Sequence, residues 1–217
     1  MNAMRTILTA CLLGVPLLVG GCGGGASESE EAVRQRLERF ASALRDGDRA
    51  AFIECYAVDG QTDRRLIDAT YDLARAMLEL HRALASGQDG GGVALFQPSA
   101  NRPGPPLPTE AGWAQAARLT IDAEAGTATA EAPGNDEPVR LVRRDGRWLL
   151  SIQTPGLAAG DRAWAERRAA LFGRLAEAAD AVRAQVGGAG GLSPEAAREA
   201  LGERFASIVR EAMARRR

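Results

Sequence analysis

The sequence has no lysine, so every one of its 27 basic side chains is an arginine. Without lysine there is no GK[ST] for the Gly90-Gly91-Gly92 run to precede. Nor does that run sit in a GxGxxG, which argues against a phosphate cradle. Arginine in place of lysine, with abundant alanine and glycine, reads as the mark of GC-rich coding and carries no functional signal. Histidine is almost as scarce, with His81 alone. Cysteine occurs three times, at Cys11, Cys22 and Cys55. The longest apolar run, Ile7 to Val19, covers 13 positions and is broken by Thr9, Gly14 and Pro16. A membrane-spanning helix needs about 20, so this run has the length of a secretory h-region instead. There is no concentrated basic face of the kind a nucleic-acid binder needs. Residues 22–159 hold 15 arginines against 20 acids, and residues 160–217 hold 11 against 8.

What is present begins with an address. Arg5 stands in a short polar start, the apolar run follows, and then comes Leu18-Val19-Gly20-Gly21-Cys22. An aliphatic residue, two small ones and a cysteine resemble the lipobox of bacterial lipoproteins. That resemblance implies diacylglycerol on the Cys22 thiol and cleavage between Gly21 and Cys22, leaving residues 1–21 as a signal peptide. Gly23 in place of Asp implies transfer to the outer membrane. An ordinary signal peptide cut after small residues is the alternative, and it leaves Cys22 a free thiol. Lipid contributes ~0.8 kcal/mol per buried CH₂, so two or three chains on Cys22 make a firm anchor. Residues 22–27, rich in Gly and Ser, read as a flexible tether. With Cys11 lost in the leader and Cys22 acylated, Cys55 stands alone and no intramolecular disulfide forms.

The rest divides by periodicity. Val33, Leu37, Phe40, Ala41 and Leu44 make one apolar stripe and predict a helix over 27–45, with Glu28, Glu30 and Glu31 in its first turn. Gly47 ends it, and Asp48 caps a short second helix through Phe52, Ile53, Cys55 and Tyr56. A third helix is expected over 63–85, where Leu66, Thr70, Leu73, Met77, Leu80 and Leu84 form a seam that packs along its length. Residues 87–108 carry glycine runs and five prolines and read as a long loop. Strand segments follow at 118–122, 127–131, 139–142 and 148–152, the last two joined by an Asp145-Gly146 hairpin turn. Two tail helices close the chain. The first runs from an Asp161 cap to Val186, and the second starts at Ser193-Pro194-Glu195. Leu201, Phe205, Ile208 and Met213 make the apolar face of the second.

Helix, short helix, long helix and a meander ending in Asp145-Gly146-Arg147-Trp148 resemble the cone-like fold of the nuclear-transport-factor-like and cystatin-like proteins. Phe40, Leu44, Gly47, Asp48, Phe52, Val139, Leu141 and Trp148 carry the resemblance. It implies an α+β domain over 28–157 in which a curved sheet covers helices with an apolar pocket between them. The residues 158–217 are then a helical hairpin tail. Some members of that superfamily are enzymes, but none of their catalytic motifs can be placed on this chain.

Cys55 and His81 are the pair that would suggest a nucleophile and its base. Cys55 lies in an apolar stretch, however, and reads as a small hydrophobe, while His81 sits on the rim of the Leu66–Leu84 seam. Asp68 and Asp72 stand 13 and 9 residues before His81, not the spacing of a helix-borne metal site. Trp113, just past the proline loop, lines a pocket mouth or anchors the loop, and Trp113 and His81 are the candidate pocket residues. No catalytic residue, metal site or cofactor is expected, and no nucleic acid. The expected partners are a membrane, through lipid on Cys22, and a protein or a second copy through the C-terminal helices. The function expected is a periplasmic, membrane-anchored binding or envelope-assembly module. The alternatives are a hydrolase or isomerase using the pocket, and a purely structural envelope protein.

Overall fold

In this computed structural model the described residues are 24–85, 112–131, 138–152, 162–186 and 191–214. The signal peptide, Cys22, the proline loop at 87–108 and the Asp161 cap lie outside them. The architecture is α+β, with six helices and a four-stranded antiparallel sheet among the described residues.

Helix α1 spans Gly24–Asp46. It begins at Gly24, among the residues expected as a tether, so Glu28, Glu30 and Glu31 lie past its first turn. The first four amides of any helix have no internal acceptor, so glycines there lose no intrahelical bond, and the acids one turn on still favour the positive end of the helix. The other end closes as the sequence implies. Gly47 takes φ +80°, and the Asp48 amide donates back to the Ala43 carbonyl at 2.9 Å, a Schellman closure. Asp48 then caps α2, Arg49–Glu54, its Oδ1 accepting from the Ala51 amide at 2.9 Å.

Helix α3, Gln61–Ala85, is buried along two stripes. Ile67, Tyr71, Ala74 and Leu78 enter a first core with α1, α2 and the sheet. Leu66, Leu73, Met77, Leu80 and Leu84 enter a second core with α5, Arg162–Val186, and α6, Pro194–Ala214. Adjacent positions are about 100° apart on a helix, so stripes offset by one residue face different neighbours. Thr70, between the two stripes, sends its hydroxyl back to the Leu66 carbonyl at 2.7 Å and so enters the interior satisfied. The predicted seam is therefore the face on which α5 lies. Its second stripe has the same period and is hidden behind it in the sequence.

The sheet runs in chain order: β1, Arg118–Asp122; β2, Thr127–Glu131; β3, Val139–Arg144; β4, Arg147–Leu150. Asp145 and Gly146 take φ 50° and 75°, so the β3–β4 turn has both central residues left-handed, the geometry whose twist matches the strands. Ala128, Ala130, Val139, Leu141, Trp148 and Leu150 face inward onto the first core. The free side of β4 is closed by the chain after α2: Leu150 donates to the Cys55 carbonyl and accepts from the Ala57 amide. Asp59 and Arg144 pair through two bonds and pin the α2–α3 turn to β3. The guanidinium beside Asp59 holds its carboxyl below the usual range.

A short helix, α4, Trp113–Ala116, is absent from the sequence expectations. Arg34 of α1 holds it: Nη1 donates to the carbonyls of Ala114, Gln115 and Ala117 at 3.0, 2.9 and 3.2 Å. Nε and Nη2 of the same guanidinium donate to Glu30 at 3.1 and 2.9 Å, so the planar fork holds Glu30 and the α4 carbonyls at once, which a single ammonium is not shaped to do. Arg34→Ala is expected to lower stability by about 1–2 kcal/mol in urea denaturation. Arg34→Lys should recover less than half of that; full recovery by lysine would reduce the contact to simple charge.

Candidate functional site

The first core is filled by rings. Phe40 lies 5.0 Å from Phe52, 6.0 Å from Tyr56 and 6.2 Å from Trp113, and Phe52 lies 5.1 Å from Tyr71, all between ring centroids. These rings come from α1, α2, the chain just after α2, α3 and α4, and they share the first core with the inner face of the sheet. Trp113, a candidate pocket residue, is one of them, buried to 6 % of its surface against Phe40. Its indole N–H has no partner among the described residues. Burial raises the pKa values of Tyr56 and Tyr71.

The second candidate, His81, is half-buried near the C-terminal end of α3, whereas Trp113 stands on α4 in the first core. Cys55 is fully buried in the first core, away from the second-core seam beside His81. Its Sγ approaches the Ala51 carbonyl at 3.3 Å. Burial pushes the thiol upward in pKa even with Arg36 nearby, the direction opposite to that of an activated cysteine.

A groove of about 570 Å³ opens where the α1–α2 turn meets α3 and α5. Its lining includes Arg49, Asp72, Arg75, Glu79, Asp180 and Arg183, with Tyr71 at one side. Arg75 donates to the Leu44 and Arg45 carbonyls at 2.8 and 3.1 Å, closing the end of α1, and to Glu79 at 2.6 Å. The other oxygen of Glu79 accepts from Arg183 of α5 at 2.6 Å, and Arg183 reaches Asp180 at 3.1 Å. Arg49 pairs with Asp68 and Asp72 and lies 4.8 Å over the Tyr71 ring. Each arginine charge is thus matched by an acid, which suits joining α1, α2, α3 and α5 better than drawing in an anion. The Arg75–Glu79 pair is readable in the sequence as i, i+4 neighbours. Arg183 is not, because it meets Glu79 only once α5 lies on α3.

Asp68, Asp72 and Glu79 of α3 are these pairing acids, and all three stay partly exposed. Among the described residues no group of three or more His, Cys, Asp or Glu is placed to hold a metal ion. No helix among them is long and apolar enough to cross a membrane. In comparisons with known proteins, no family model, no curated protein and no solved structure matches this chain.

Proposed function

We propose that this chain is a lipoprotein, cut ahead of Cys22 and held by lipid on the periplasmic face of an outer membrane, that works by binding or envelope assembly. The lipobox-like Leu18–Cys22 segment supports the address. The cone-like arrangement is part of the same proposal, supported by a sheet whose inner face packs over α1. The observation that carries a non-enzymatic reading is the ring-packed interior. In a cone-like enzyme the space between helices and sheet takes the substrate, and here Phe40, Phe52, Tyr56 and Trp113 stand in it. A purely structural role would be served by the same interior. What favours binding is α6, where only Ala197 and Leu201 are buried. Phe205, Ile208 and Val209 stay half-covered, and Met213 is 61 % exposed.

The address has a direct test. Cys22→Ala should give a precursor that takes up no labelled fatty acid and is not cut at this site; normal labelling of that variant would overturn the anchor. The binding reading is tested by a photo-crosslinking side chain at Met213 in intact envelopes. A discrete adduct that Val209→Asp abolishes is expected. A chain that gives no adduct fits the structural role instead.

A further inference from the structure

The two edges of the sheet differ. Beside β4 runs the chain after α2, tied to Leu150 at Tyr56 and Ala57. Beside β1 the strand order ends, and no described residue pairs with its outer side. Which backbone groups β1 turns outward follows from the ladders. The Arg143 amide donates to the Gly126 carbonyl at 2.7 Å, so Gly126 faces β3, and Ala128 and Ala130 face it too. Successive residues of a strand turn their N–H and C=O groups to opposite sides. Thr127, Thr129 and Glu131 therefore face β1, where Asp122, Thr120 and Arg118 are their partners. That leaves Leu119 and Ile121 to point their backbone groups out of the edge. Their side chains pack against the first core, while Arg118, Thr120 and Asp122 stand exposed on the outer face.

An open row of strand amides is a template for another strand. β1 carries no proline, and its register with β2 runs from Arg118 to Asp122 without a bulge, so nothing in the strand itself spoils the template. Its end charges are of opposite sign, which makes the strand complementary to its own reverse. Set antiparallel to itself about Thr120, β1 places Leu119 opposite Ile121 of a second copy, and Ile121 opposite the second copy's Leu119. Each such pair exchanges two backbone bonds, which satisfies the outward N–H and C=O groups of both residues in both strands. The same register sets Arg118 opposite the second copy's Asp122 at both ends. These are close, non-hydrogen-bonded pairs on the exposed face, where opposite charges attract. The Asp122 carboxylate is already oriented, its Oδ1 accepting from the Ala125 amide at 2.8 Å. We propose that a second copy of this chain docks on β1, edge to edge about a two-fold axis at Thr120, so that the two four-stranded sheets run on as one. This surface is not that of α6, and the inference does not rest on lipid at Cys22.

Thr120→Cys in the full-length protein tests this. A two-fold axis at Thr120 brings the two thiols to a Cα separation of about 4.5 Å, within reach of a disulfide. Mild oxidation in detergent solution should give a dimer that reduction splits and that the parent chain does not form; a monomer throughout would overturn the proposal. Arg118→Asp in that background sets carboxylates face to face and should cut the dimer by about fivefold or more. Asp122→Arg should do the same with guanidinium groups. Mixing the two variants should restore the dimer, because each like-charged edge then meets its opposite. A yield indifferent to these charges would count against the register, as would no recovery on mixing two folded variants. Should Asp122→Arg unsettle the turn at Ala125, Arg118→Asp alone decides. Val209→Asp should leave the Thr120→Cys dimer unchanged; its loss would place the contact on α6 instead. In the unsubstituted protein the Leu119 and Ile121 amides should gain protection from hydrogen exchange as concentration rises. Full protection at the lowest concentration would mean that another part of the same chain already covers the edge, and the proposal would fall.

Discussion

Phe40→Ala is expected to destabilise the protein by about 3–5 kcal/mol, the cost of removing a large ring from a packed interior. Phe40 is fully buried and its ring is the common neighbour of Phe52, Tyr56 and Trp113, so no single side chain can close the space it leaves. Domains of this size are stable by roughly 5–15 kcal/mol in total, so the variant should sit near the edge of folding. The measurement is the urea midpoint, with near-ultraviolet dichroism reporting on Trp113 and Trp148, both in this core. Phe40→Leu keeps most of the volume and should cost well under half as much. A loss below about 1 kcal/mol for the alanine variant would show that the rings do not depend on one another.

Leu80→Asp should act as strongly but elsewhere. Leu80 is 1 % exposed in the second core, packed between α3 and the hairpin. An ionised carboxylate there enters an apolar core, and a buried charge left unpaired costs several kcal/mol or forces local rearrangement. The hairpin can relieve it by moving away. The expected variant therefore keeps a native near-ultraviolet signal from the first core, binds a hydrophobic dye, and shows earlier protease cleavage within 162–214. Cooperative loss of both cores in Leu80→Asp would mean that the second core supports the first. The pair of substitutions thus separates two interiors that a single stability value would merge.

Periodicity made the helices and strands legible because each carries its apolar residues at the spacing of its own geometry. The Leu66–Leu84 seam marked α3, alternation marked β1, and Asp145-Gly146 fixed the β3–β4 turn. Ser193 caps α6 as its sequence implies, its hydroxyl accepting from the Ala196 amide at 3.2 Å. Features that depend on contacts distant in the chain were hidden. α4 is four residues long and is held by Arg34, some 80 positions earlier, so no local pattern could mark it. Ile67, Tyr71, Ala74 and Leu78 lie one residue out of step with the seam, and two interleaved stripes look in sequence like one broad apolar face. Trp113 was legible as an aromatic near a loop but not as a core ring, because its burial comes from Phe40. The groove was the least readable part, since Glu79 and Arg183 stand 104 positions apart.

The double burial of α3 also governs where this protein tolerates change over evolutionary time. One side of the helix answers to the rings and the sheet, and another answers to the hairpin. Most of what is left is committed too: Asp68 and Asp72 to Arg49, Arg75 to the end of α1, Glu79 to Arg183. Its exposed positions are Gln61, Arg64, Arg65, Arg82 and Ala85, all within the first five or last four residues of the helix. Among descendants of this sequence α3 should hold its pattern almost unbroken through its middle. Drift should collect at polar positions of α6 such as Glu203, Arg204 and Arg210, which stay exposed.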